Sequence, residues 1–274
     1  MSDNMRFVLI MTEGPHDVEA IAKILRLRGY SEKNNKKEIP EALQVFIPKS
    51  YPFDVDGHME RGVPRPSFLT ADNKYVVIFN AGGISRIVNK LSDSLSMMRA
   101  SLLQMLSGIA IVADMDISDQ VSRQQEFIDQ IKAETEDYQV IIQEQGTVEI
   151  TSKQGSYPLR FFFFPDNSAK GTLEILLLDG AQISYPDLAG RAKEYIDCVK
   201  VDYHLRNYDE LKATVGAVAN VLKPGKANQV SIHDNDWFTP ESLEKVYNQR
   251  CFAAFIDSVI SLMEELEKHD GKNG

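Results

Sequence analysis

The sequence predicts an α/β fold: a mostly parallel sheet of about four strands with helices on both faces, plus an antiparallel hairpin, an insertion and a helical C-terminal segment. Three observations carry this. Continuous apolar runs occur at Arg6–Met11, Tyr75–Phe79 and Ile109–Ala113, as expected of strands buried on both faces. Each run stops at turn or acidic residues: Thr12-Glu13-Gly14-Pro15, Asn80-Ala81-Gly82-Gly83 and Asp114-Met115-Asp116. An amphipathic helical pattern follows each stop.

Taken in order, His16 to Gly29 reads as a helix with Val18, Ile21, Ala22 and Leu25 on one face and Gly29 as its stop. Residues 31–74 read as an insertion broken by Pro48, Pro52, Pro64 and Pro66, with a short strand at Leu43–Ile47. It carries Lys33, Lys36, Lys37, Lys49, Arg61 and Arg65, either as a basic surface or as a solvated loop. Ile84 to Leu106 reads as one long helix, ended by Gly108, and Ser122 to Thr135 as another. Strands follow at Gln139–Gln143, Thr147–Thr151 and Leu159–Phe164, the first two joined across Glu144-Gln145-Gly146. Helical patterns then fill Thr172–Leu178, Leu188–Leu205, Tyr208–Leu222 and Pro240–Lys268. Residues 1–180 are thus expected to form the α/β domain. Residues 181–268 form a helical segment that packs on it or makes a homodimer contact, and 269–274 a disordered tail.

Composition narrows the function classes. The 274 residues are 43% hydrophobic and 26% charged, ordinary for a globular chain. The two cysteines, Cys198 and Cys251, show no Cys-x-x-Cys spacing and are expected to be buried thiols. No apolar run reaches the ~18 residues of a membrane span, and Met1–Met5 is too polar for a signal peptide, so a cytoplasmic protein without a membrane partner is expected. The net charge is −10, so nucleic-acid binding would need a local basic patch, a partner or metal ions.

The chemistry centres on acidic strand ends. In open parallel sheets ligands sit outside the carboxyl ends of the strands. Glu13 lies just past one such end; Asp114 and Asp116 lie just past another. Three converging carboxylates repel one another, and a hard divalent cation such as Mg²⁺ (or Mn²⁺) resolves that with oxygen ligands. The alternative is that they are turn and helix-cap acids.

The ordered pattern strand, Glu13-Gly14-Pro15-His16-Asp17, helix, strand, Gly82-Gly83, helix, strand, Asp114-x-Asp116 resembles the Toprim domain over roughly residues 5 to 165. Toprim domains occur in topoisomerases, primases, recombination proteins and OLD-type nucleases, and share a Rossmann-like α/β fold. The resemblance implies that Glu13 is a metal ligand or general acid/base and that Asp114 and Asp116 hold Mg²⁺. It implies that Gly14 lets the backbone approach a phosphate, that Asp17 orients the loop or caps the helix, and that Gly82 and Gly83 flank the site. Gly171-Thr172-Leu173-Glu174 resembles the Gly-x-x-Glu segment of OLD-like nucleases, which makes Glu174 a ligand for a second metal or else a helix-N-terminal acid. Lys226 in Lys223-Pro224-Gly225-Lys226 reaches a phosphate or is a solvated loop lysine. His16 donates to phosphate or is structural; the other histidines show no metal spacing.

Nothing marks the gate tyrosine module of topoisomerases, the zinc module of primases or the phosphate-binding loop of the ATPase joined to OLD nucleases. The resemblance therefore implies Mg²⁺-dependent phosphodiester chemistry on nucleic acid, most simply a nuclease. The alternative is a non-catalytic module acting with a separate partner such as an ATPase. Asp114-Met115-Asp116-Ile117-Ser118 also looks like the Asp-x-Asp motif of haloacid-dehalogenase-like phosphatases, but it lies mid-chain and leaves Glu13 unexplained.

Overall fold

The computed structural model describes residues 5–59, 64–135, 137–143, 146–206 and 208–270. In chain order the elements are β1 (Arg6–Thr12), α1 (Pro15–Leu27), β2 (Ser31–Lys33), β3 (Ser67–Ala71), β4 (Lys74–Asn80), α2 (Ile87–Met97), α3 (Ala100–Leu103), β5 (Leu106–Asp114), α4 (Gln120–Glu134), β6 (Gln139–Ile142), β7 (Val148–Ser152) and β8 (Gly155–Phe164). Six helices complete the chain: α5 (Leu173–Ser184), α6 (Pro186–Val199), α7 (Asp209–Leu222), α8 (Asn228–Asp234), α9 (Pro240–Lys245) and α10 (Tyr247–Asp270).

The strands form one mixed sheet in the order β2-β3-β4-β1-β5-β8-β7-β6. Pairings β4–β1, β1–β5 and β5–β8 are parallel. The four outer pairings are antiparallel, so the expectation of a mostly parallel sheet is corrected: a parallel centre is extended by antiparallel strands at both edges. The centre is covered on both faces, which explains its unbroken apolar runs. Val8, Ile10, Ala110, Val112, Phe162 and Phe164 point to one face, under α1, α5 to α8 and α10. Phe7, Leu9, Met11, Ile109, Ile111 and Phe163 point to the other, under α2 to α4. From β1 the chain runs through α1 to β4 on one side, then returns through α2 on the opposite face to β5 on the other side. Open α/β sheets bind ligands in the crevice at such a reversal, which here falls at the carboxyl ends of β1 and β5.

Several element boundaries differ from expectation for local reasons. Leu43–Ile47 is not a strand; Glu41–Phe46 is 3-10 helix after Pro40, and Leu43, Phe46 and Ile47 are buried at helical spacing. The short strands of the 31–74 insertion are instead β2 and β3, which widen the sheet beyond β4. Its basic side chains are partly engaged within it: Lys33 pairs with Glu38 at 3.6 Å, Arg65 with Glu32 at 3.6 Å, and Lys36 lies 5.1 Å from the Phe53 ring centroid. Arg61 lies outside the described residues. The long helix over 84–106 divides into a 3-10 turn, α2 and α3. Gly108 lies inside β5, where an added Cβ would fall 2.5 Å from Leu262 Cδ1, so this glycine makes room for α10 rather than ending a helix. Residues 144–145 of the expected hairpin gap lie outside the described residues. The expected helix over 240–268 breaks at Val246, and α10 continues through His269 and Asp270 of the expected tail; 271–274 lie outside the described residues. The cysteines are not buried: Cys198 is exposed and Cys251 half-buried. Helix α6 buries Ala189, Ala192 and Ile196, and Cys198 falls off that face.

The C-terminal helices pack on the sheet. Phe252 on α10 lies 5.1 Å from Phe162 and 5.0 Å from Phe164 between ring centroids. Each fully buried aromatic of this kind stabilises the fold by about 1.5–3 kcal/mol. Helix α5 is held from its far side by Gln249, whose amide donates to Leu176 O at 2.8 Å and Trp237 O at 2.9 Å. Gly180 permits this approach: a Cβ there would meet the Trp237 carbonyl oxygen at 2.0 Å. Gly180→Ala is expected to cost about 2 kcal/mol or more, read as a fall in the denaturation midpoint. An unchanged midpoint would show that α5 and the Trp237 loop separate freely.

Candidate functional site

The crevice at the carboxyl ends of β1 and β5 is built by main-chain clasps. The Glu13 carbonyl, just past β1, accepts the N–H groups of Gly82 at 3.0 Å and Gly83 at 2.9 Å. Their φ values of 76° and 134° are ones that L side chains rarely adopt, so these two glycines are required to clasp β1 to the turn after β4. Gly14 has an ordinary extended φ of −141°, and a Cβ there would come no closer than 4.0 Å to Asp17 Oδ2, so open space lies in front of it. Asp17 Oδ2 accepts the Gly14 N–H at 2.8 Å. Asp114, the last residue of β5, accepts the Leu173 N–H on Oδ1 at 2.9 Å and so fixes the first turn of α5. Asp116 is left-handed (φ 53°); its N–H donates to Gly171 O at 2.9 Å and its carbonyl accepts the Tyr208 hydroxyl at 2.8 Å.

Five carboxylates gather there. Burial, then the charge of Asp116, raises the Glu13 pKa; Lys212 and Arg123 partly offset this. Burial, then Asp17 and Glu174, holds Asp114 well above the usual carboxylate range, against the pull of the Leu173 N–H. Burial pushes Asp17 up to about 7, with Glu13 and Glu174 adding to it and the Gly14 N–H opposing. Burial lowers His16, and Glu174 acts against that. Glu174 is 6% exposed, and its Oε2 has no hydrogen-bond partner among the described residues. Arg123 Nη2 lies 3.2 Å from Met115 O and 3.4 Å from Asp116 Oδ2.

Glu13, Asp114, Asp116, Glu174, Gly14, His16, Gly82 and Gly83 are therefore neighbours at this end of the sheet. Lys226 is not among them. It is exposed in the turn beyond α7, and that 14-residue helix separates it from Tyr208 by about 20 Å. The cations whose charge reaches Glu13 are Lys212 and Arg123. The sequence reading missed both, together with Tyr208; the only signal was the spacing of Tyr208 and Lys212, one helical turn apart. Among the described residues, no three His, Cys, Asp or Glu side chains already stand in an arrangement that holds a metal. The carboxylates lie within reach of one another's charge. Two clefts of about 530 and 820 Å³ open at the opposite end of the sheet, around Met5, Ser101 and Met105, away from this cluster.

Fold and site define an α/β protein with a mixed sheet and an acid-lined crevice at the carboxyl ends of its parallel strands. The chain belongs to the family described as protein of unknown function (DUF3226), matched over residues 8–258. It is also similar in structure to a hypothetical protein, PH0156, from Pyrococcus horikoshii OT3, with a TM-score of 0.52 and 22% sequence identity over 96% of this chain and 99% of that one. At that identity the likeness bears on the fold alone. No curated protein matches the chain in sequence. No described helix is long and apolar enough to cross a membrane.

Proposed function

We propose that the chain is a Toprim-like protein that carries out Mg²⁺-dependent phosphodiester chemistry on nucleic acid, most simply as a nuclease. The observation that carries this reading is the Glu174 carboxylate, buried beside Glu13, Asp17 and Asp114 with Oε2 unpartnered. A buried acceptor without a donor costs about 1–3 kcal/mol, more when charged, and a hard cation is the partner such a group fits. Glu13, Asp114, Asp116 and Glu174 would hold it. Bound there, Mg²⁺ or Mn²⁺ would polarise a phosphoryl oxygen and acidify a bound water. Where Glu13 instead stays off the metal, its burial, which raises its pKa, suits it to the alternative role of general acid/base. Asp114 is oriented by the Leu173 N–H, which fixes one carboxylate oxygen and leaves the other for a ligand.

A second reading has a specific observation behind it. The net charge is −10, and Lys33 and Arg65 face Glu38 and Glu32 within their own segment. A protein of that net charge, with part of its insertion's basic side chains paired internally, fits a module that borrows its nucleic-acid contacts from a partner, such as a separate ATPase. A haloacid-dehalogenase-like phosphatase would leave Glu13 and Glu174 without a role.

Calorimetric Mn²⁺ binding by the wild type and by Asp114→Ala/Asp116→Ala, beside cleavage of supercoiled plasmid and single-stranded DNA, separates these readings. The nuclease reading expects binding and cleavage, both lost in the variant. Binding without cleavage would favour the partner-dependent module, and no binding by the wild type would overturn the metal site.

A further inference from the structure

The acidic crevice has one wall that comes from the helical C-terminal segment. The Tyr208 hydroxyl donates to the Asp116 carbonyl at 2.8 Å, while the Asp116 N–H is held by Gly171 O at 2.9 Å. Asp116 sits in a left-handed turn at φ 53°, a conformation that costs a non-glycine residue about 1–2 kcal/mol. Tyr208 and Gly171 thus clasp this strained residue from both sides. The Lys212 N–H donates to Tyr208 O at 3.1 Å, so the two residues lie one helical turn apart on the same face. The base of this turn is tied down: Lys200 Nζ pairs with Glu210 at 3.1 Å, and the Arg206 N–H donates to Asp209 Oδ2 at 3.1 Å.

Lys212 is exposed, yet its charge acts on both Glu13 and His16. Arg123 approaches Asp116 Oδ2 at 3.4 Å. Two cations beside an acidic cluster weaken its hold on a lone metal ion, because like charges repel. They make sense if the occupant also brings negative charge, since charge-assisted hydrogen bonds to phosphate oxygens are among the strongest available. We propose that the first turn of α7 is a working wall of the site, in which Tyr208 is a positioning residue that holds Asp116 in its turn and Lys212 contacts a phosphate group of the ligand. The Tyr208 half rests on the reading of the crevice as a cation site; the Lys212 half does not.

The test uses the full chain and two probes: Mn²⁺ by calorimetry, and a short fluorescein-labelled oligothymidylate by anisotropy in metal-free buffer at low salt. Lys212→Ala is expected to weaken oligothymidylate binding about tenfold, in line with loss of one charge-assisted contact. Lys212→Arg is expected to restore it, and Mn²⁺ affinity should not fall in either variant. Tyr208→Phe is expected to weaken Mn²⁺ about tenfold, as loss of a group that orients a ligand does, with the fold and metal-free oligothymidylate binding kept and the melting temperature lowered by only the few degrees one hydrogen bond accounts for. Unchanged oligothymidylate binding in Lys212→Ala, failure of Lys212→Arg to rescue it, or no binding by the wild type would overturn the phosphate contact. Unchanged Mn²⁺ affinity in Tyr208→Phe would overturn the positioning role alone. No Mn²⁺ binding by the wild type would overturn the cation site and the Tyr208 role together, while the metal-free arm still decides Lys212.

Discussion

Asp114→Asn is expected to reduce divalent-cation-dependent cleavage by about 100-fold or more and, in the same protein, to raise the melting temperature measured without metal. The two effects have one cause. Asp114 is buried at the end of β5, and burial together with Asp17 and Glu174 disfavours its ionised form. Asparagine removes that charge and keeps the local structure, because its side-chain oxygen still accepts the Leu173 N–H that Asp114 Oδ1 accepts at 2.9 Å. It also removes the negative oxygen a hard cation requires. A group kept against the interest of stability is the expected signature of a functional site. A lower melting temperature would show that the carboxylate is there to hold α5, and retained cleavage would remove Asp114 from the chemistry.

The parts of this architecture legible in the sequence were those set by burial on both faces of the sheet. The runs at β1, β4 and β5 had to be continuous and apolar, and the acids ending β1 and β5 stood out against them. Strand β3 was hidden because Pro64 and Pro66 precede it and a two-residue turn joins it to β4, so one hairpin read as a loop and a strand. The break after α2 is also hidden: the apolar stripe runs on through Met98, Leu102 and Met105, but Met98 is extended at ψ 127°, Leu102 packs from a second short helix, and Met105 lies in the turn before β5. Glu13, Asp114, Asp116 and Glu174 stand out in the sequence by their positions after strands and at a helix start, and the fold gathers them. Lys212 and Tyr208 do not stand out, because what makes them neighbours of Asp116 is the packing of α7 against the crevice, a tertiary fact with no local pattern. Lys226 reads from its Pro-Gly turn as a phosphate contact or a solvated loop lysine, and the length of α7 carries it to the far end, exposed. Asp17 reads from the sequence as a residue that orients the loop or caps the helix; its bond to the N-cap Gly14 N–H does both, and it is also one of the buried acids.

That burial gives the other large expected effect, a pH-dependent gain in stability on replacing Asp17 by asparagine. An aspartate has an ordinary pKa of 3.8, and burial, with Glu13 and Glu174 nearby, pushes Asp17 up to about 7 in the folded protein. Between those values the folded state keeps a proton that the unfolded state has released. The contribution of this group to stability is therefore most favourable at acid pH, falls as pH rises through the window from about 4 to about 7, and is level above it. A rise of that size corresponds to a loss on the order of 4 kcal/mol across the window. The asparagine of the variant cannot ionise, and its side-chain oxygen can still accept the Gly14 N–H. The stability difference between Asp17→Asn and wild type should thus grow with pH up to about 7 and then stay constant, which urea denaturation at a series of pH values measures directly. Saturating Mg²⁺ should narrow that difference, because a cation on Glu13 and Glu174 removes part of the negative charge that Asp17 faces. A difference that is flat in pH would mean that water reaches Asp17 in the folded state. A difference that grows with pH but ignores Mg²⁺ would leave the buried acid in place and count against a cation beside it.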